Sequence, residues 1–181
     1  MTSIYNNFEP IVYPRIIIYP SDECSVDIAS KIAKELKLPL SDYSAQDKKL
    51  SNFDFSLAVS REGLILRQID SRLTFSLDFS RNSIKYRVRS NQSELLGRAI
   101  GIKSRHPKKV IDGTAGFGID SFILANLGCS LVLCERNVII ATMLSHAIES
   151  AKRSAEPWLP ESLSRMSLMR QDVRSLPTEL V

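Results

Sequence analysis

Val110-Ile111-Asp112-Gly113-Thr114-Ala115-Gly116-Phe117-Gly118 is the stretch on which the fold turns. A short β-branched run ends in an acid and enters a turn with glycines at 113, 116 and 118. An apolar helix, Ile119 to Leu127, follows and is closed by Gly128. Glycines allow positive φ and let a ligand approach the main chain closely, and the helix start presents free N–H groups and partial positive charge. Downstream, Leu131-Val132-Leu133-Cys134 forms a second strand ending at Glu135. Val138 to Lys152 forms a helix with Ile140, Met143, Leu144, Ala147 and Ile148 on one face. Pro157 and Pro160 bracket a loop around Trp158, and Arg165 to Met169 is a third strand running into Gln171-Asp172-Val173. Successive β-α-β-α-β units predict an α/β fold: a parallel, Rossmann-like sheet with right-handed crossovers.

Such a turn can hold a dinucleotide pyrophosphate or the methionine carboxylate of S-adenosylmethionine. Dinucleotide binders read G-x-G-x-x-G, whereas the order here is G-x-x-G-x-G. Asp112 would repel two phosphates but suits an ammonium or sulfonium. Glu135 lies 135 − 112 = 23 residues further on, at the second strand tip, where a carboxylate can accept both ribose hydroxyls in either cofactor class. Asp172 follows the third strand, a position suited to the adenine edge. Three acids at consecutive strand tips predict one crevice at the carboxyl edge of the sheet. An NAD-binding oxidoreductase half-domain is the rival reading.

Outward from this frame, residues 1–14 form an N-terminal arm. Residues 15–80 form a small α/β lobe: the strand Ile16–Tyr19, a helix from Ser25 to about Lys37, a hairpin with Phe55, Leu57 and Val59 alternating into a turn at 61–63, and a third alternating strand from Leu73 to Phe79. Residues 81–108 are a basic linker with a short helix from Ser93 to Ile100, and 109–181 are the cofactor-binding half of the catalytic fold. The linker is rich in Arg and Lys, with Tyr86 among them. Arg87, Arg89, Lys103 and Arg105 are candidates for RNA phosphate contact. The alternatives are a solvated linker, or a non-catalytic RNA-binding remnant.

The chain has 181 residues, 44% hydrophobic and 24% charged, with a net charge of +4, which suits a packed globular protein and is compatible with a polyanionic partner. Cys24, Cys129 and Cys134 form no CxxC pair, so neither a disulfide scaffold nor a metal site is expected. The opening has no basic, apolar leader pattern, and no stretch approaches the roughly 18 apolar residues of a membrane span. These features predict a cytoplasmic protein without a membrane partner. His106 is read as a linker residue and His146 as a helix-surface residue.

Residues 96–102 (LGRAIGI), 110–120 (VIDGTAGFGID), 127–129 (LGC) and 134–137 (CERN) resemble the ribosomal RNA small subunit methyltransferase J family. The resemblance is strong over 93–176 and colinear over the preceding lobe. It implies a class I fold and an S-adenosylmethionine-dependent enzyme that methylates the exocyclic N2 of a guanine in the small-subunit (16S) rRNA, with the 30S subunit as partner. It places cofactor contacts at Ile119 and Asp120, Glu135 and Arg136, and Asp172 and Val173, with Asp112, Gly113, Gly116 and Gly118 shaping the pocket. Two departures stand out. Residues 87–92 keep the family's basic character without its glycines. The family's Asp-Pro-x-Phe-Pro-like motif, which positions the target amine, has no counterpart in the chain. The resemblance therefore implies a truncated form with cofactor residues but no catalytic motif, marginally stable and inactive alone, and no catalytic base is assigned.

Overall fold

The computed structural model describes residues 14–42, 50–102 and 108–177, without the side chains of 91–94. Lys103 and Arg105 lie outside the described residues. Two compact units emerge, one of residues 1–59 with 66–74, the other of 60–65 with 75–181.

In the first unit, β1 (Ile16–Pro20) pairs in parallel with β2 (Phe55–Val59), Ile18 facing Leu57. Both side chains are fully buried. The crossover is α1 (Val26–Leu36), which buries Ala29, Ile32 and Ala33, one face of a 3.6-residue repeat. It stops at Lys37, in the left-handed region at φ 54°, and the Leu38 amide then donates to the Ala33 carbonyl. The sheet order is β1-β2-β3-β4, with β3 Leu64–Gln68 and β4 Thr74–Ser76. β4 is shorter than the alternation from Leu73 to Phe79 suggests. Asp78 ends that run by accepting hydrogen bonds from the Ser80 amide and hydroxyl, an Asx-type turn.

The second unit contains α2 (Asn82–Arg89), α3 (Asn91–Ala99), β5 (Lys109–Asp112), α4 (Ile119–Asn126), β6 (Ser130–Cys134), α5 (Val138–Ala151), α6 (Trp158–Leu163) and β7 (Met166–Met169). Its sheet runs β5-β6-β7, all parallel. Asp112 faces Leu133, and Cys134 faces Met169, so all three strands finish at one edge. Phe79, Phe122, Leu133, Leu144, Leu159 and Leu163 form the fully buried core. The Phe122 ring lies 4.8 Å from that of Phe79 and 5.7 Å from that of Trp158, both tilted.

Two elements differ from the sequence reading. The segment expected as a linker opens with α2, a two-turn helix: Ile84 and Val88, four residues apart, face the core, while Arg89 is exposed and Lys85 pairs with Glu156. The stretch around Trp158 is α6 rather than a loop, because Pro157 stands at the N-cap, where its ring does not interrupt the helix, and Leu159 and Leu163 are buried behind it. No helix among the described residues is long and apolar enough to cross a membrane.

Candidate functional site

β5 delivers Asp112 to the sheet edge, where its carboxylate organises the turn. One oxygen accepts the Thr114 amide at 3.2 Å and the other the Ser121 hydroxyl at 2.6 Å, tying the strand end to α4. Gly116 (φ +53°) and Gly118 (φ +66°) both take left-handed backbone conformations, which an L side chain resists. Gly118 is also tightly enclosed: a Cβ there would lie 2.9 Å from Leu144 Cδ1. Gly113 serves proximity instead, since a Cβ would meet the Val173 side chain at 3.0 Å.

At the tip of β6, Glu135 binds backbone on both sides. The Asn137 amide donates to one oxygen at 2.7 Å and the Gly116 amide to the other at 2.9 Å, so the second strand tip clamps the glycine turn of the first. Asn137 then caps α5 by accepting the amides of Ile139 and Ile140. After β7, Asp172 accepts a two-pronged bond from Arg174 (Nε at 2.9 Å, Nη2 at 2.7 Å) and the Arg174 amide at 3.0 Å. Arg136 adds a looser ion pair at 3.7 Å. The Arg174 bonds hold the Asp172 carboxyl far below the usual carboxylate range. Burial, reinforced by the charges of Asp112 and Asp172, pushes the Cys134 thiol up, so it stays protonated.

Two adjoining clefts open along this edge. The first, about 400 Å³, is lined by Gly113, Thr114, Cys134, Glu135, Arg136, Gln171, Asp172, Val173 and Arg174. The second, about 470 Å³, is lined among others by Arg87, Leu96, Asp112, Phe117, Gly118, Ile119, Asp120 and Ser121, and shares Gly113 and Thr114 with the first. Both lie in the size range of small-molecule sites. The expected residues therefore gather along one continuous edge, Gly116 joining through its bond to Glu135. The basic candidates divide: Arg89 is exposed on α2, whereas Arg87 turns into the second cleft and donates to Asp120 at 2.8 Å. Thr114, Gln171 and Arg174 were not expected at the site. Arg174 had a detectable signal, a guanidinium two residues beyond the acid it chelates. Gln171 had none, because its role depends on burial. His146, expected on the helix surface, is half-buried with Nδ1 enclosed and without a hydrogen-bond partner among the described residues.

The donor set fits an adenosyl amino acid. Gln171 leaves a buried side-chain N–H group without a partner among the described residues beside the first cleft, and adenine ring nitrogens are acceptors for such a donor. Asp112, Asp120, Glu135 and Asp172 along the clefts offer acceptors to hydroxyl and amine groups, while the neighbouring Arg136 and Arg174 pair with Asp172. Fold and site together define a class I S-adenosylmethionine-dependent methyltransferase domain. Residues 41–180 match the family described as "Putative SAM-dependent methyltransferase". The chain belongs to this family, and S-adenosylmethionine is the family's cofactor.

The chain is 36% identical over 171 residues to ribosomal RNA small subunit methyltransferase J of Thioalkalivibrio sulfidiphilus, covering 92% of this chain and 64% of that protein. It is 35% identical over 128 residues to the Coxiella burnetii protein of the same name, covering 68% of this chain and 48% of the relative. The chain thus spans about half to two thirds of the length of these relatives. A crystal structure of a SAM-dependent methyltransferase from Neisseria gonorrhoeae shares the fold, with a TM-score of 0.65 at 24% identity over 87% of this chain and 60% of the other.

Proposed function

We propose that the chain carries the cofactor-binding half of an enzyme that methylates the exocyclic N2 of a guanine in small-subunit rRNA, acting on the 30S subunit in the cytoplasm. The observation that carries this reading is the convergence of Asp112, Glu135 and Asp172 on one sheet edge beside the glycine turn, together with relatives that bear the rRNA methyltransferase name.

In this reading the first cleft takes the adenosine. Glu135 accepts the ribose hydroxyls, Gln171 and Asp172 face the adenine edge, and Val173 supplies an apolar wall. The methionine portion crosses the shared Gly113 and Thr114 towards Ile119 and Asp120. Bound S-adenosylmethionine supplies an electrophilic methyl on a sulfonium. The residues of this chain bind and orient it, the carboxylates around the clefts facing its hydroxyl, ammonium and sulfonium groups. The guanine amine has a lone pair delocalised into the purine, so an unstacked, oriented base is required. Arg89 and the exposed Tyr86 on α2 offer a cation and a ring for the RNA strand, with Lys103 and Arg105 as further phosphate contacts.

The test is chemical. Small-subunit rRNA from cells lacking the gene, digested to nucleosides and analysed by mass spectrometry, should have lost one N2-methylguanosine per subunit that the restored gene returns. Unchanged N2-methylguanosine content would contradict the proposal.

A further inference from the structure

We infer that Arg87 is the counter-ion for the carboxylate of the cofactor's methionine portion, and that the Arg87–Asp120 pair is the ligand-free form of an amino-acid zwitterion site. This rests on the cofactor reading above and adds a residue and a charge-exchange step to it.

Four observations carry the inference. Arg87 belongs to α2, in the segment that looks like an RNA-facing linker, yet its side chain lines the second cleft. Among the described residues lining that cleft it is the sole cation, set against Asp112 and Asp120. Its Nη2 donates to Asp120 at 2.8 Å, while the side chains keep 41% and 64% of their exposure, so the pair is water-screened and readily exchanged. Asp112, the other acid there, is already committed to Ser121 and Thr114 and so is less available as a partner for Arg87.

An α-amino acid head group carries one negative and one positive charge a few ångströms apart. Inserted between Arg87 and Asp120, it replaces one exposed ion pair with two: guanidinium to carboxylate, and ammonium to Asp120. A guanidinium presents a planar fork that matches a carboxylate in two-pronged fashion, which a lysine cannot reproduce. The site therefore selects for the amino-acid end of the ligand, while the first cleft selects for the nucleoside end. Arg87 acts here on cofactor and not on RNA phosphate, which separates it from its neighbour Arg89 on the exposed side of α2.

Calorimetric titration of the full chain with S-adenosylmethionine and with its decarboxylated form isolates the carboxylate, since the two ligands differ in that group alone. Arg87→Ala should weaken S-adenosylmethionine binding by ~10- to 100-fold, the range expected for a charge-assisted pair, and leave the decarboxylated ligand within about twofold. Arg87→Lys should fall between the two proteins for S-adenosylmethionine, and it supplies the comparison should the alanine variant misfold. Equal losses for both ligands, or no loss for either, would overturn the assignment. A wild-type chain that binds neither ligand would instead remove the cofactor reading on which it depends.

Discussion

A glycine series in the second unit separates backbone strain from steric enclosure. Gly118 has φ +66°, and an added Cβ would lie 2.9 Å from Leu144 Cδ1 and 3.3 Å from Leu133 Cδ2, both side chains fully buried. Forcing alanine into the left-handed region costs about 1–2 kcal/mol, and crowding a packed core by one methyl costs about 1–3 kcal/mol more. The lower entropy of an unfolded alanine chain offsets about 0.5–1 kcal/mol, so Gly118→Ala should destabilise by about 1.5–4 kcal/mol. Gly128 shares the left-handed backbone (φ +94°), but a Cβ there would meet nothing within 4 Å among the described residues. Gly128→Ala should therefore cost only the strain, about 0.5–1 kcal/mol after the same offset. Gly63 has neither constraint, and its alanine variant should lie within about 0.5 kcal/mol of the parent. Urea unfolding followed by fluorescence reads these differences directly, because the single tryptophan, Trp158, packs against Phe122 in the same unit. If Gly118→Ala unfolded at the same urea concentration as Gly128→Ala, the enclosure by Leu144 would not be a structural constraint and the packing of the turn on α5 would be misjudged.

Other substitutions probe the core and the charges. Phe122→Ala removes the ring between Phe79 and Trp158, and should cost about 3–5 kcal/mol in urea unfolding, with a changed Trp158 emission spectrum; a loss under about 1 kcal/mol would show that the cluster does not hold the unit together. Burial, aided by the charge of Arg153, keeps the His146 imidazole below its ordinary value of 6.5. The unfolded chain thus takes the proton first, and the stability that this histidine contributes above pH 6.5 should decline as pH falls towards the folded-state value, a slope that His146→Gln flattens in melting curves. Arg174→Ala should raise the Asp172 pKa towards the ordinary carboxylate range, seen as a shifted side-chain carbonyl titration by NMR, whereas an unmoved titration would assign the depression to another neighbour.

The parallel sheet was legible because its punctuation is local: an acid and glycines close β5, Gly128 closes α4, and an acid follows each of the next two strands. The cofactor-edge residues follow from that punctuation, since in a parallel sheet every strand tip faces the same way. α2 was not legible. Its apolar signal is Ile84 and Val88 alone, diluted by Arg81, Lys85, Arg87 and Arg89, and only the core beneath it decides that it is helical. For the same reason, the direction of Arg87 could not be read: neighbours in sequence, Arg87 and Arg89 point to different surroundings once α2 packs. α6 was obscured by Pro157 and Pro160, which mark loops unless they fall in a helix's first turn. Gln171 looks like any polar residue before an acid, and its unpaired amide emerges only from burial.

What matters most for function is whether the acids at the strand tips form one adenosyl-binding edge. Calorimetry of the chain with S-adenosylhomocysteine and, separately, with NAD tests it most directly, alongside Glu135→Ala and Asp172→Ala. S-adenosylhomocysteine should bind one-to-one, at least ~10-fold more weakly to either variant, and NAD should bind weakly or not at all. Tighter binding of NAD, or variants that bind S-adenosylhomocysteine as well as the parent chain does, would contradict it.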